Sequence, residues 1–422
     1  MSATAPRDSA FWHPFADMGV VRSHELVIDR AEGLYVWDEA GTRYLDATAS
    51  LWYANVGHGR EEIVQAVADQ LRRLDAYSTF GDFANRPALE LTEALAARAP
   101  MPGAKVFLTS GGGDSIETAA KLAQRYFHER GEPDRTVVLS RTAAYHGTHG
   151  FGTSLGGIQA NRIGFGAHAE SGQVAHDSAD DLLAALERIG PERVAAFFAE
   201  PVIGAGGVYP PAPGYLEEVS ALCRENGVLF VADAVICGFG RLGNWFGIER
   251  WDIEPDLVVF AKGVTSGYQP LGGVLIAEWL AEPFWGRPGS PVFRHGPTYA
   301  GHPACCAAGL ANLALLEGEG LIERGAEMEG PLLDALAPLA DDPLVAEVRG
   351  GVGTLAAVEL DAGLRTRRPG APAEVAAGAR AAGVLVRPLG AGVATSPPLP
   401  AGPEHFQQIA AAIAAGLDAV RE

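Results

Sequence analysis

The sequence predicts an α/β fold, with a large domain built on a mostly parallel sheet flanked by helices and a smaller α+β domain after it. Two observations predict this. From Arg60 onward, amphipathic helical patterns alternate with short apolar runs: Val106 to Leu108, Thr136 to Leu139, Ala195 to Ala199, Val228 to Ala232, Leu257 to Ala261 and Gly273 to Ala277. Short apolar runs separated by helices are the pattern of strands buried on both faces of a parallel sheet. Near residue 304 the alternation stops. Long helical stretches, Ala304 to Glu317 and Ile322 to Leu339, precede a strand-like Thr354 to Leu360 and an Ala-rich helix to the C-terminus.

Ahead of the alternating region, residues 20 to 48 read as short β segments with turns. Leu34 to Asp38 and Arg43 to Asp46 are joined by Glu39-Ala40-Gly41-Thr42, a hairpin at the edge of the fold. The chain therefore divides into residues 1–59, an N-terminal segment packing with the small domain; 60–303, the large domain; and 304–422, the small domain. There is no internal repeat and no linker rich in Ser and Gly.

Composition narrows the function classes. The 422 residues are 48% hydrophobic and 20% charged, ordinary for a globular chain. With 32 Lys and Arg against 52 Asp and Glu, the net charge of −20 repels phosphate backbones and anionic membranes, so nucleic acid is not an expected partner. No run approaches the ~20 apolar residues of a membrane span, and Met1 to Asp8 lacks a basic start and apolar core, so a cytoplasmic protein is expected. Of the four cysteines, Cys305 and Cys306 are adjacent and none has metal-ligand spacing, which predicts core positions and no metal site.

Lys262 follows the run Leu257 to Ala261 and precedes Gly263, while Asp233 ends the run Val228 to Ala232. A lysine becomes nucleophilic toward a carbonyl when it is partly desolvated and fixed, because burial disfavours its charged form. A carboxylate held against a pyridine nitrogen keeps that nitrogen protonated, which makes the ring an electron sink. The pair suggests pyridoxal phosphate chemistry. Two polar strand ends without chemistry are the alternative.

Ser110-Gly111-Gly112-Gly113-Asp114 lies between a strand, Lys105 to Leu108, and a helix beginning near Ser115. It reads either as a phosphate cradle at a helix N-terminus or as a tight turn capped by Asp114 and Glu117. It matches neither the dinucleotide fingerprint nor the lysine-bearing triphosphate loop, which weakens nicotinamide and kinase readings. Arg141-Thr142-Ala143-Ala144-Tyr145-His146-Gly147 follows a strand and places an aromatic ring at the carboxyl end of the sheet, where α/β folds bind ligands. A structural Tyr-His pair fits the same residues.

These segments carry a family likeness. Gly111 to Asp114 with Glu117 to Lys121, Tyr145-His146-Gly147, Glu200-Pro201-Val202, Ala232 to Val235 with Gly238 to Arg241, Phe260 to Gly263, and Gly296 to Tyr299 with Gly301-His302-Pro303 together resemble the class III aminotransferases, in order and over essentially the whole chain. The resemblance implies a fold-type-I transferase dependent on pyridoxal 5'-phosphate. In it Lys262 would hold the cofactor covalently, Asp233 would face the pyridine nitrogen, and Val235 and Tyr145 would sandwich the ring. Glu200 would belong to the cofactor site. Gly112 and Gly113 would bind the phosphate through backbone amides, with Thr298 reaching it from the partner subunit of a homodimer.

Leu51 to Gly59 and Ser266 to Gly272 are similar to the omega-transaminases that use pyruvate or other α-keto acids, which implies that Trp52 walls the substrate pocket. Val384 to Arg387 with Ser396 to Leu399 resembles the segment bearing that group's mobile arginine, so Arg387 would grip a substrate carboxylate and swing away for an uncharged substituent. Without the family, Arg387 would read as a surface ion pair. Three positions depart from the pattern: Ala234 replaces Glu, Gly113 replaces Ser and Cys237 replaces Thr or Ser. His146, His295 and His302 read as structural, since Lys262 can itself move the proton.

The implied activity is reversible amino transfer in two half-reactions between an amine or amino acid and an α-keto acid. Alternatives are a racemase, aminomutase, decarboxylase or phospho-lyase of the same fold, a silent cofactor-binding regulatory protein, and, more distantly, a nicotinamide dehydrogenase.

Overall fold

The computed structural model describes residues 10–22, 25–166 and 168–421. Met1 to Asp8, read above for targeting signals, lies outside the described residues. Three sheets organise the chain. The N-terminal hairpin strands β1 (Ile28–Glu32), β2 (Tyr35–Asp38) and β3 (Arg43–Asp46) form an antiparallel set.

The large sheet contains β4 (Lys105–Thr109), β5 (Val137–Arg141), β6 (Ser171–Val174), β7 (Val194–Ala199), β8 (Leu229–Asp233), β9 (Leu257–Phe260) and β10 (Gly272–Ile276). Its order is β4-β10-β9-β8-β7-β5-β6. Only β10 runs against its neighbours, pairing antiparallel with both β4 and β9. Strands β5, β7, β8 and β9 are buried residue by residue, which is why they appear in the sequence as unbroken apolar runs.

The last strands are β11 (Val345–Arg349), β12 (Ala356–Leu360), β13 (Val384–Leu385), β14 (Arg387–Pro388) and β15 (Gly392–Thr395). They form a third sheet, except that β13 leaves it and adds in parallel to β3. This handover ties the N-terminal hairpin to the C-terminal part of the chain.

Two details differ from the sequence expectation. The helix Pro303–Gly318 buries Cys305, Cys306, Leu313 and Leu316 in the core of the large sheet, so packing places it there and not at the head of the small domain. The Ala-rich tail is two helices, Ala371–Ala381 and Pro403–Ala419, separated by β13, β14 and β15. The break falls where glycines Gly383, Gly390 and Gly392 interrupt the helical pattern.

Close approach dictates one residue of β10. A Cβ at Gly272 would sit 2.8 Å from the Gly111 carbonyl and 2.7 Å from Ser115 Oγ. A side chain there would wedge β10 away from the start of the helix Gly112–Glu129. No single helix among the described residues is long and apolar enough to cross a membrane, and none of their His, Cys, Asp and Glu side chains group into a metal site.

Candidate active site

Because β4, β5, β7, β8 and β9 all run the same way, their carboxyl ends meet on one edge of the sheet. Ser110 to Gly113 follow β4, Tyr145 and His146 follow β5, Glu200 follows β7, Asp233 ends β8 and Lys262 comes two residues after β9. All of these residues line one cavity of about 500 Å³. That is a size suited to a small cofactor.

The helix after β4 starts at Gly112, earlier than the sequence suggested, and its N-cap Gly111 offers no side chain. Asp114 and Glu117 do not cap it. Glu117 instead accepts from the Phe151 amide at 2.6 Å, and Asp114 lies 3.5 Å from His149. The first-turn amides, which an α-helix cannot satisfy internally, have no side-chain cap among the described residues and stand at the end of the cavity. A Cβ on Gly112 would stand 3.1 Å from Val235 Cγ1, so any side chain there would push Val235 back by a few tenths of an ångström.

Asp233 is 3% exposed, and both its oxygens are engaged. Oδ1 accepts from the Val235 amide at 3.1 Å, and Oδ2 lies 2.7 Å from His146 Nδ1. His146 is fully buried, with no partner for Nε2 among the described residues. The sequence reading had set His146 aside as structural. Its contact with Asp233 holds the carboxylate although position 234 carries alanine in place of the family's glutamate. Cys237 is likewise buried, its Sγ 3.3 Å from the Val202 carbonyl, and burial pushes its thiol pKa up.

Glu200, buried at the end of β7, accepts from the Tyr145 amide at 3.0 Å and the Gly204 amide at 2.9 Å. Burial pushes its carboxyl pKa up, with the nearby His146 acting in the opposite sense. Glu200 thus fixes the backbone that carries Tyr145, and the Tyr145 ring lies in the cavity wall.

Lys262 adopts φ +49°, a left-handed conformation costly for a side chain that is not glycine. Asn312, buried on the helix Pro303–Gly318, holds it there. Its amide donates to the carbonyls of Gly263 at 2.8 Å and Val264 at 3.0 Å, and its oxygen accepts from Ser266 Oγ at 2.6 Å. Nothing in the sequence pointed to Asn312, which reads as one polar residue in an apolar helix. Burial lowers the Lys262 amine pKa, and the carboxylates of Asp233 and Glu200 oppose that shift. Desolvation wins, so the neutral amine is available at lower pH than for free lysine.

Lys262 also opens onto a second cavity of about 530 Å³, lined by Phe15, Leu51, Trp52, Tyr145, Ile236 and Arg387 among others. Trp52 is 2% exposed, and the Arg387 guanidinium carbon lies 5.1 Å from the centroid of its ring. Arg387 is half-buried and makes no ion pair with a described carboxylate, and its Nε has no hydrogen-bond partner among the described residues. Burial lowers its pKa, with the nearby Tyr145 acting in the opposite sense. It is not a surface ion pair. Thr298 is exposed and lines neither cavity.

The Aminotransferase class-III family model matches residues 18–417. A putrescine–pyruvate aminotransferase of Pseudomonas aeruginosa is 38% identical over 406 residues, covering 91% of this chain and 88% of that protein. Among solved structures, an (S)-enantioselective omega-transaminase from Thermomicrobium roseum superposes with a TM-score of 0.92 at 38% identity, covering 97% of this chain and 96% of the other. An amine transaminase from an uncultivated Pseudomonas species, solved in its PLP-bound form, gives 0.93 at 36% identity, covering 98% and 99%. With the strand-end lysine and aspartate facing one cavity, these matches identify the chain as a member of the class III aminotransferases, a fold-type-I family that works with pyridoxal 5'-phosphate.

Proposed function

We propose that the protein moves an amino group from an amine or amino acid to an α-keto acid such as pyruvate, with cofactor in the first cavity and substrate in the second. One observation carries this reading. The two cavities meet at Lys262, and the substrate side holds a guanidinium that no described carboxylate neutralises. The likeness to a putrescine–pyruvate aminotransferase supports pyruvate as acceptor.

Pyridoxal phosphate, when bound, supplies an aldehyde for amines to condense with and a protonated ring that withdraws electrons from the neighbouring carbon. The chain's residues do the rest. The amides of Gly112 and Gly113 would receive the phosphate, and Tyr145 and Val235 would flank the ring. The Asp233 carboxylate, fixed by His146 and the Val235 amide, would keep the ring nitrogen protonated. The Lys262 Nζ would accept the proton lost from the substrate's α-carbon, which its depressed pKa favours. Arg387 binds the keto acid's carboxylate as a two-pronged donor.

Single-turnover half-reactions test the proposal. An amine should change the cofactor's visible absorbance stoichiometrically, and pyruvate should restore it with release of one alanine per site. Amine consumption without alanine would remove transamination.

Replacing Arg387 by alanine should separate the two half-reactions. The keto acid step should lose about 2–4 kcal/mol of transition-state stabilisation, the worth of a charge-assisted bidentate contact, while deamination of an uncharged arylalkylamine stays near normal. Equal losses in both steps would mean that the carboxylate is held elsewhere.

The proposal also includes a cytoplasmic homodimer with shared sites. Thr298 is exposed, so its hydroxyl is open to a phosphate in a second subunit, and the four cysteines are buried and unpaired, which suits a reducing compartment. Sedimentation at falling concentration should show cofactor release accompanying dissociation, and Thr298→Ala should weaken cofactor retention without changing the dimer. A monomer that keeps its cofactor tightly contradicts this.

A further inference from the structure

Asp46 ends β3, is 2% exposed, and has no place in the chemistry above. Its carboxylate organises the next turn. Oδ1 accepts from the Thr48 amide at 3.2 Å, and the Thr48 hydroxyl, 3.1 Å from it, also approaches the Ser50 carbonyl at 2.8 Å. Oδ2 accepts from the Ser50 amide at 2.6 Å and lies 2.9 Å from His58 Nε2.

The turn so gathered is strained. Ala49, Ser50 and Trp52 take φ of +45°, +59° and +61°, although none is glycine. Leu51 between them returns to φ −108°, and positive-φ residues packed this closely persist only where surrounding bonds over-determine them. The result is a chain that straddles both cavities, with Leu51 and Trp52 lining the substrate side and Tyr53 the cofactor side.

The same junction carries the opposite wall. Asp46 pairs with Leu385 across β3 and β13, Ala47 donates to the Leu385 carbonyl at 3.1 Å, and the Ala47 carbonyl accepts from the Ser396 amide at 2.8 Å. Arg387 begins β14, two residues beyond Leu385. Trp52 and Arg387 therefore hang from one knot of backbone, with the Asp46 carboxylate on the Trp52 side.

We infer that Asp46 is a positioning residue for substrate selection, holding the Ala49–Trp52 turn in its strained, positive-φ course and so setting Trp52 against Arg387. The inference rests on the transaminase reading for the identity of the substrate. Asparagine at 46 keeps the volume but replaces one acceptor oxygen by a donor, so the Ser50 amide or the Thr48 pair loses its partner.

Asp46→Asn holoenzyme should shift the kcat/KM ratio of an arylalkylamine to a short alkylamine by about tenfold, mainly through KM. In a Trp52→Ala background the same substitution should move that ratio by less than about twofold, because the wall it acts through is gone. In fluorotryptophan-labelled protein, the 19F resonance of Trp52, assigned by its loss in Trp52→Phe, should move or broaden. Thr48→Val, which keeps shape and removes one donor, should shift ratio and resonance the same way by less, and it decides the matter if Asp46→Asn does not fold. An unchanged ratio, an unchanged Trp52 resonance, or an effect as large without Trp52 as with it overturns the inference. If the unsubstituted protein transaminates no amine, it is the transaminase reading that falls, whereas an active parent with unresponsive variants removes only the role of Asp46.

Discussion

Lys262→Ala should slow transamination by about three orders of magnitude or more. The loss combines two roles in one side chain: the anchor that presents the cofactor and the base that moves the proton. Proton transfer by a positioned group alone is worth about 10²–10⁴-fold. Lys262 is the lysine lining both cavities, and Asn312 holds its backbone in a conformation that other residues avoid. Borohydride reduction of the holoenzyme followed by peptide mapping should place the pyridoxyl label on Lys262. A label on Lys121 or on any other lysine would reassign the anchor.

Asp233→Asn should cost about 10²–10³-fold in kcat with the cofactor still bound, the scale on which removing one preorganised electrostatic contact acts. The substitution preserves size and can keep the His146 contact, but it takes away the charge that holds a proton on the ring nitrogen. Single-turnover deamination together with the cofactor's absorbance spectrum measures this. Turnover close to that of the parent would mean that Asp233 only supports the turn to Val235.

Much of this site could be read from the residues in order, and the reason is physical. Strands β7, β8 and β9 are buried on both faces, so their ends are marked by the first polar residue after an apolar run, which is how Asp233 and Lys262 stand out. Strand β6 escaped notice because Ser171-Gly172-Gln173-Val174 is a half-buried edge with no apolar signature. The helix after β4 begins at Gly112 although glycines argue against helix, since its first turn is shaped by packing on Val235. The contacts that hold the functional groups are non-local, as with His146 on Asp233, Asn312 on the lysine turn and Arg387 over the Trp52 ring. No periodicity within one element encodes them.

The single antiparallel strand, β10, separates the strand that leads to Gly111–Gly113 from the strand that leads to Lys262. Neighbouring strands stand roughly 4.8 Å apart, so β10 works as a spacer two steps wide, about 10 Å, between anchor and cradle. That spacing survives only while Gly272 has no side chain, because any other residue would strike Gly111 and Ser115. A position with no functional group thus fixes one dimension of the chemistry. The loops around Trp52 and Arg387 lie on the far side of Lys262, outside that constraint. Substitutions there change the walls of the second cavity and leave the spacing set by β10 as it is.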